Sequence, residues 1–483
     1  MACTRVVPSI LEVQLMKQSR RRLSVAAALF VAAPNLLLNA ASESHPAPVP
    51  TPLPNPSQPT TPDGGVSFPL RVHTSRRFLV DSAGQPFFLH ADSCWSIAVQ
   101  LTRAQIDNYL DDRQRRGFNG ILFNVIEHFF SSNKPFYFNE EGNDPFTPMT
   151  HFASPNAAYW QLVDYVVEGC ARRGIVCLLT PAYLGVGGGS SSPNDEGWDS
   201  EVNISSNADL QRYGAFLAKR YTRRNIIWIL GGDYNPPNPA KQWNIATGIL
   251  SVDPKALVTG HGSRNTESYK VWNGQPGWNL NNIYVDLDGI AQPASATAYA
   301  RSGPIPFFLI EGAYGGAQTD GACRLQVYQS ILSGACGHCF GSFPIWGFGE
   351  PHVNGGIGPA RALQSSLDTP AIRQMGHLRR LFLAYAWWKL VPRTDSSLVT
   401  TALGSGTSRI CPALASDRSF AMVWTIGSNF TLNMSALATR NIRCRWFDPV
   451  QGAFTAVSDS PFANSGVRVF SPPGESVLVL DAA

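Results

Sequence analysis

This chain has little charge. Asp, Glu, Lys and Arg make up 15% of its 483 residues, against about 25% in an ordinary globular protein. It has no basic stripe. Part of the formal net charge of +4 sits in one cluster, Lys17, Arg20, Arg21 and Arg22, so the electrostatic footprint of nucleic-acid binding is missing. No Gly-x-Gly-x-x-Gly opens a helix, so a nucleotide fold would lack its phosphate loop. There is no His-Glu-x-x-His and no cluster at metal-ligand spacing. The expectation is therefore neither metal nor cofactor. The lone Cys-x-x-Cys, Cys336 and Cys339, has no second copy. It lies in a strand-like run where positions i and i+3 point to opposite faces. Buried or disulfide cysteines fit it better than zinc. Cys411 and Cys444 are the only cysteines of the C-terminal region, and parity makes them a candidate disulfide.

Aromatic residues are plentiful: 12 Trp, 14 Tyr and 26 Phe. Such a count fits cleft walls that stack on sugar faces, and equally a large barrel core. The length exceeds one ordinary domain and allows a large core. The first 41 residues read as a targeting segment. "KQSRRR" is a basic n-region and "LSVAAALFVAAPNLLLNA" an apolar h-region. A cleaved secretory signal is the first reading. An uncleaved signal anchor is the second, since the run nears the ~20 residues needed to cross a bilayer. A plastid transit peptide is the third. Residues 42–66 are rich in Pro, Ser and Thr and read as an extended tether. The sequons at Asn203, Asn429 and Asn433 suit an exported protein.

From residue 67 to 393 short apolar runs alternate with helix-like stretches, the pattern of parallel strands with helical crossovers. Eight strands are predicted: 87–92, 117–125, 174–181, 225–233, 257–262, 282–286, 307–312 and 336–344. The sixth has the weakest signal. Thr102 and Gln105 form a capping box before "IDNYLDDRQRR". Eight such units over ~300 residues match a (β/α)8 barrel. From 394 to 483 the period changes to two, as in "SFAMVWTI", which predicts a small antiparallel sandwich or barrel. "DPVQG" reads as its hairpin turn.

In a (β/α)8 barrel the chemistry sits at the C-terminal ends of the strands. Those ends supply Asp92 with Trp95, Asn124, Tyr183, Asp233, His261, Asp286, Glu311 with Tyr314, and Trp346. Acids, amides and aromatics around one mouth are a sugar-binding inventory. Glycoside hydrolysis needs two carboxyl groups flanking the scissile bond. Asp233 and Glu311 end strands four and seven, which face each other across the barrel. Glu311 closes the apolar run "PFFLIE", where a charge is costly without a partner or a task. Asp233 follows Gly-Gly and reads locally as a turn or helix-cap residue as readily as an acid. The protonated member of the pair is expected to owe its raised pKa first to its neighbour's charge and second to burial. Asp92 reads equally as a helix-start residue or a substrate contact. Glu127 and Glu350 read as solvated loop acids.

Residues 76–393 resemble the apiosidase-like glycoside hydrolases, a (β/α)8 family. The resemblance rests on "RRFLVDSAGQPFFLHADSCW", "LTRAQIDNYLDDRQRRGFNGILFNV", "NIIWILGGDYNP", "PFFLIEGAYGG" and "ILSGACGHCFGSFPIWGFG". It implies a retaining mechanism with Asp233 as general acid/base and Glu311 as nucleophile. It also places substrate contacts at Asp92 and Trp95. Residues 394–483 resemble the collagen-binding-type β-domain that often follows this barrel, with "RWFDPVQGAF" the best-matching piece. "EGAYGG" and "NIYVDLDG" depart from the family's usual run, which leaves the sugar open. The expected protein is an exported, monomeric glycosidase acting on plant or microbial polysaccharide. An endo-β-glycanase of other specificity, an inactive carbohydrate-binding protein and a wall-adhesion protein are the rivals.

Overall fold

The computed structural model describes residues 65–128, 137–147, 152–188, 197–221, 224–349 and 356–483. The stretch expected to be a targeting segment, the expected tether up to residue 64 and Glu350 lie outside the described residues. Among the described residues no helix is long and apolar enough to cross a membrane.

Eight parallel strands form the centre: β1 Leu89–Ser93, β2 Gly120–Asn124, β3 Val176–Thr180, β4 Ile226–Gly231, β5 Val258–His261, β6 Asn281–Tyr284, β7 Phe307–Glu311 and β8 Gly337–Ser342. Their spatial order is β5-β4-β3-β2-β1-β8-β7-β6. Strand β6 returns beside β5, where Asn282 Nδ2 donates to the Gly260 carbonyl (2.7 Å) and Asn279 N–H to the Val258 carbonyl (3.2 Å). The barrel is thus nearly closed. The weakly predicted sixth strand is real. Side-chain amides supply much of its bonding to β5.

Period two divides the strand side chains. Leu89, Ala91, Leu122, Val176, Leu178, Ile227, Ile229 and Ile283 fall in one apolar cluster. Their alternates Ile121, Phe123, Cys177, Leu179, Trp228 and Leu230 fall in another, with the helices. Both faces are dry, which explains the nearly unbroken apolar runs of the sequence. The helices include α1 Arg103–Arg115, α2 Ala157–Arg172, α3 Asn207–Tyr221, α4 Pro239–Val252, α5 Ser268–Trp272, α6 Gln292–Tyr299, α7 Asp320–Leu332 and α8 Pro370–Leu383, with further short ones at Ile97–Gln100, Asp199–Ile204 and Pro359–Ser366. Thr102 caps α1 with the reciprocal Gln105 bond that its sequence predicts.

The C-terminal region is a seven-stranded antiparallel sheet with a separate pair, Phe430–Asn433 and Val467–Phe470. Strands β9 Cys411–Ala415, β10 Ala421–Thr425, β11 Asn441–Asp448 and β12 Ser476–Ala482 form its middle. Asp448 pairs with Ala453 across the predicted "DPVQG" turn. One face, with Ala421, Val423, Leu478 and Leu480, packs in a sandwich core with Phe430, Leu432 and Phe470. The other face, with Met422, Trp424, Val477 and Val479, joins the barrel's own cluster beside Tyr328 and Leu332 of α7. The β-domain therefore shares a core with the barrel. Arg324 of α7 adds a bond from Nη2 to Glu475 Oε2 at 2.5 Å.

The expected Cys411–Cys444 disulfide is contradicted, for both thiols are free and buried. Cys411 lies on β9 and Cys444 on β11, with β10 and β12 between them. Three strand spacings, roughly 14 Å, exceed any disulfide span. Cys336 and Cys339 are buried as well. Burial pushes the Cys336 thiol up to about 12.

Candidate active site

The backbone after β4 is unusual. Gly231, Gly232 and Asp233 have φ of 86°, 127° and 48° in succession. A Cβ at Gly232 would lie 2.3 Å from Tyr183 Cδ2, and one at Gly231 only 2.4 Å from the His261 carbonyl oxygen. Glycine is required at both places. The turn leaves Asp233 in the left-handed region, a costly conformation for a non-glycine residue. Its N–H then points at His261 Nδ1 (3.1 Å) and its Oδ2 accepts from the Tyr183 hydroxyl (2.7 Å).

Glu311 arrives from the other side. A register irregularity between Leu309 and Glu311 interrupts the β6–β7 pairing, and bulges of this kind re-aim side chains near active sites. Glu311 Oε1 accepts from the Tyr314 hydroxyl (2.9 Å), which in turn accepts from Trp95 Nε1 (3.3 Å). Its Oε2 lies 3.0 Å from His261 Nε2. That approach is off the ring's N–H axis, since neither atom has an aligned hydrogen-bond partner. The contact is therefore chiefly electrostatic. Gln326 of α7 braces the loop behind Glu311. Its Oε1 accepts the Ala313 N–H (2.7 Å) and its Nε2 donates to the Asp286 carbonyl (2.8 Å).

One donor atom each from Asp233, His261 and Glu311 lies within 4.8 Å of the others. Three such donors could also face a cation. The Tyr183 and Tyr314 hydroxyls, however, already donate to the two carboxylates.

Burial pushes the Asp233 carboxyl up to about 6. The charge of Glu311 adds to the rise, while His261, Tyr183 and Arg264 oppose it. The sequence expectation had these two causes in reverse order. Desolvation leads because the cluster is walled by Trp95, Tyr183, Tyr284 and Tyr314. For His261, burial pulls the pKa down, but the contact with Glu311 and the charges of both carboxylates raise it overall. The Asp233 N–H requires a lone pair on Nδ1, so the neutral ring carries its proton on Nε2.

Of the sequence candidates, Asp233, Glu311, His261, Tyr183, Tyr314 and Trp95 come together. The Trp95 ring centre is 5.8 Å from that of Tyr183 and 6.0 Å from that of His261. Trp346 stands 6.5 Å from Tyr314, ring to ring, on the rim. Asn124 is buried with its Nδ2 on Glu127 Oε1 (2.7 Å). Glu127 is thus a buried acid and not the solvated one expected. Asp286 stays exposed at the rim, 3.9 Å from Arg264.

Asp92 does not join the site. It is fully buried and faces α1, where Oδ2 accepts from Arg113 Nε (2.5 Å) and the Tyr109 hydroxyl (2.8 Å). It neighbours the inward Ala91 and so points outward by the two-residue period. The predicted substrate contact is replaced by a buried ion pair that ties β1 to α1.

Two residues were missed. Tyr284, the last residue of β6, stacks on His261 at 5.2 Å. Burial, and then the Asp233 and Glu311 charges, hold its hydroxyl protonated. Arg264 places Nε 3.5 Å from the Tyr284 hydroxyl and is an exposed cation whose charge acts on Asp233. The strand-end rule that found His261 would have found Tyr284 too.

The family model "Apiosidase-like, catalytic domain" matches residues 73–389. "Putative collagen-binding domain of a collagenase" matches residues 391–481. No curated protein matches the chain. Among solved structures, a glycoside hydrolase family 5 protein from Bacteroides vulgatus ATCC 8482 superposes with a TM-score of 0.74 at 22% identity. The match covers 87% of this chain and 94% of that one. A structure described as a glycoside hydrolase gives 0.71 at 22% identity, over 88% and 98% of the two chains. Those likenesses establish the fold. The family match spans the barrel from before β1 to beyond α8, well over half of the sequence, and on that basis the chain belongs to the apiosidase-like catalytic domain family.

Proposed function

We propose that this protein is an exported retaining glycoside hydrolase acting on polysaccharide, with Asp233 as general acid/base and Glu311 as nucleophile. The observation that carries the reading is the carboxylate pair at one barrel mouth, with oxygens within 4.8 Å of each other. Carboxyl groups about 5–5.5 Å apart suit a retaining double displacement, whereas an inverting enzyme leaves ~6.5–9.5 Å for a water.

The two carboxyls have different surroundings, and this supports different roles. Asp233, pushed up to about 6, can hold a proton for the leaving oxygen near neutral pH. Glu311 is held by the Tyr314 hydroxyl and lies against Nε2 of His261, contacts that orient its carboxylate toward the cleft it shares with Asp233. Glu311 attacks the anomeric carbon as the glycosidic C–O bond breaks, and Asp233 gives its proton to the departing oxygen. Asp233, now a carboxylate, takes a proton from the incoming water. That water displaces Glu311 with a second inversion, so configuration is retained. Trp95, Tyr183 and Trp346 offer aromatic faces to the sugar, and Arg264 tempers the charge left on Asp233.

Asp233→Asn and Glu311→Gln, measured separately on a hydrolysed pectic or hemicellulosic glycoside, test the assignment. Each should lose at least about a thousandfold in turnover, as loss of a reacting group does. Wild-type turnover in either variant overturns it.

A further inference from the structure

A cleft of about 580 Å³ opens at the other end of the barrel. Its lining includes Gly334, Ala335 and Cys336, which precede β8, and Tyr299, which ends α6 ahead of β7. These mark the N-terminal ends of the strands, a barrel length away from Asp233 and Glu311. The seam between barrel and β-domain supplies Trp387, Trp388 and Lys389, and the turn joining the antiparallel strands Arg71–Val72 and Leu79–Val80 supplies His73 and Arg77.

Two features give this cleft a chemical character. The first is an indole in the open. Trp388 is 38% exposed, whereas its neighbour Trp387 is 5% exposed, and their rings stand at 88°. Trp387 packs on Phe78 and Phe88, so it already has a structural task. Trp388 has none of that packing. The second is unbalanced positive charge. "RVHTSRR", Arg71 to Arg77, contains no acid. Arg77 lies 4.0 Å over the Tyr299 ring, and its Nη1 donates to the Tyr299 carbonyl at 2.6 Å, with no carboxylate in ion-pair reach among the described residues. The nearby acids are already engaged. Asp417 accepts from Lys389 Nζ (2.6 Å), and Asp81 accepts the Gln85 N–H (2.8 Å).

We infer that this cleft is a second saccharide-binding site, selective for a glycan segment bearing uronic acids. An exposed indole offers a flat apolar face to a pyranose ring. Arg77 offers a planar pair of donors to a sugar carboxylate. The Ser75 and Ser416 hydroxyls lie in the same lining and suit sugar hydroxyls. A site at the far end of the barrel would hold a long acidic chain while the mouth acts on another part of it. Aromatic and cationic groups together also suit single-stranded nucleic acid. The choice of a saccharide rests on the glycosidase reading, but the location of the site does not.

Electrophoresis of the protein through gels containing polygalacturonate, neutral galactan or poly(dT) tests the inference. Wild type, Trp388→Ala and Arg77→Gln are compared. Retardation by polygalacturonate should exceed that by galactan. Trp388→Ala should weaken it about tenfold, equivalent to about 1.4 kcal/mol. Arg77→Gln should abolish the preference for the acidic polymer. Turnover of a small soluble glycoside at the mouth should be unchanged in both variants. Retardation by poly(dT) alone, equal retardation by acidic and neutral polymers, or a Trp388→Ala protein that binds like wild type overturns the site. Loss of small-glycoside turnover in Trp388→Ala also overturns it, because the residue would then serve the mouth. Inactivity of the wild type on every glycoside would instead count against the catalytic reading and leave the binding result to stand.

Discussion

The Nε2 atom of His261 lies 3.0 Å from Oε2 of Glu311. The same ring accepts the Asp233 backbone N–H at Nδ1, 3.1 Å away, so one imidazole spaces both members of the carboxylate pair. His261→Ala should free the strained turn at Asp233 and misplace the acid. A shift of about 1 Å costs roughly 100-fold in rate. Steady-state kinetics should show that loss mainly in kcat, with KM little changed.

The pH dependence follows from Asp233. Its carboxyl is pushed up to about 6 and must be protonated to act as the acid. The kcat/KM profile should fall as pH rises through about 6. Asp233→Glu, if active, should move that limb, which a purely structural role would not do.

Stability should move with the same group. Its folded pKa, about 6, lies above the ordinary 3.8, so the folded state binds more protons between those values. Stability is then lost as pH rises through that window. The cost is fully present above about pH 6 and is on the order of 2–3 kcal/mol. Asp233→Asn should therefore melt higher than wild type near pH 7, and the gap should close below about pH 4. Thermal melts at the two pH values check it.

Tyr314 donates to Glu311 at 2.9 Å. A hydrogen bond to a charged group contributes about 1.5–3 kcal/mol. Tyr314→Phe should cost roughly 10–100-fold in kcat/KM without changing the fold. Chelation should leave turnover intact, because the proposed chemistry uses only protein groups. EDTA dialysis followed by assay measures this directly, and a loss restored by a divalent cation would point to the Asp233–His261–Glu311 donors as a metal site.

Asp92 should behave as a structural residue. It pairs with Arg113 with both side chains fully buried. Breaking such a pair costs about 3–5 kcal/mol. Arg113→Ala should lower the melting temperature sharply, while the soluble fraction keeps its kcat per folded molecule.

The barrel was legible because its strands are dry on both faces and its helices carry caps, as at Thr102. The mouth was legible by one rule, that strand ends carry the chemistry. That rule failed at Asp92, where the two-residue period turns the side chain outward to Arg113. It passed over Tyr284, whose value comes from stacking on a histidine of the neighbouring strand. Parity suggested a Cys411–Cys444 bond, but strand order is not written in parity. The β-domain's sheet, sealed by the sandwich core on one side and the barrel on the other, depends on packing between distant segments such as Arg324 and Glu475.

The central claim is that Glu311 forms a covalent bond to the sugar. Incubation with an activated 2-deoxy-2-fluoro glycoside, followed by proteolysis and mass spectrometry, tests it. The account predicts one sugar esterified to the peptide bearing Glu311, and none in Glu311→Gln. A sugar attached to another residue, or a first-formed product of inverted anomeric configuration, would contradict it.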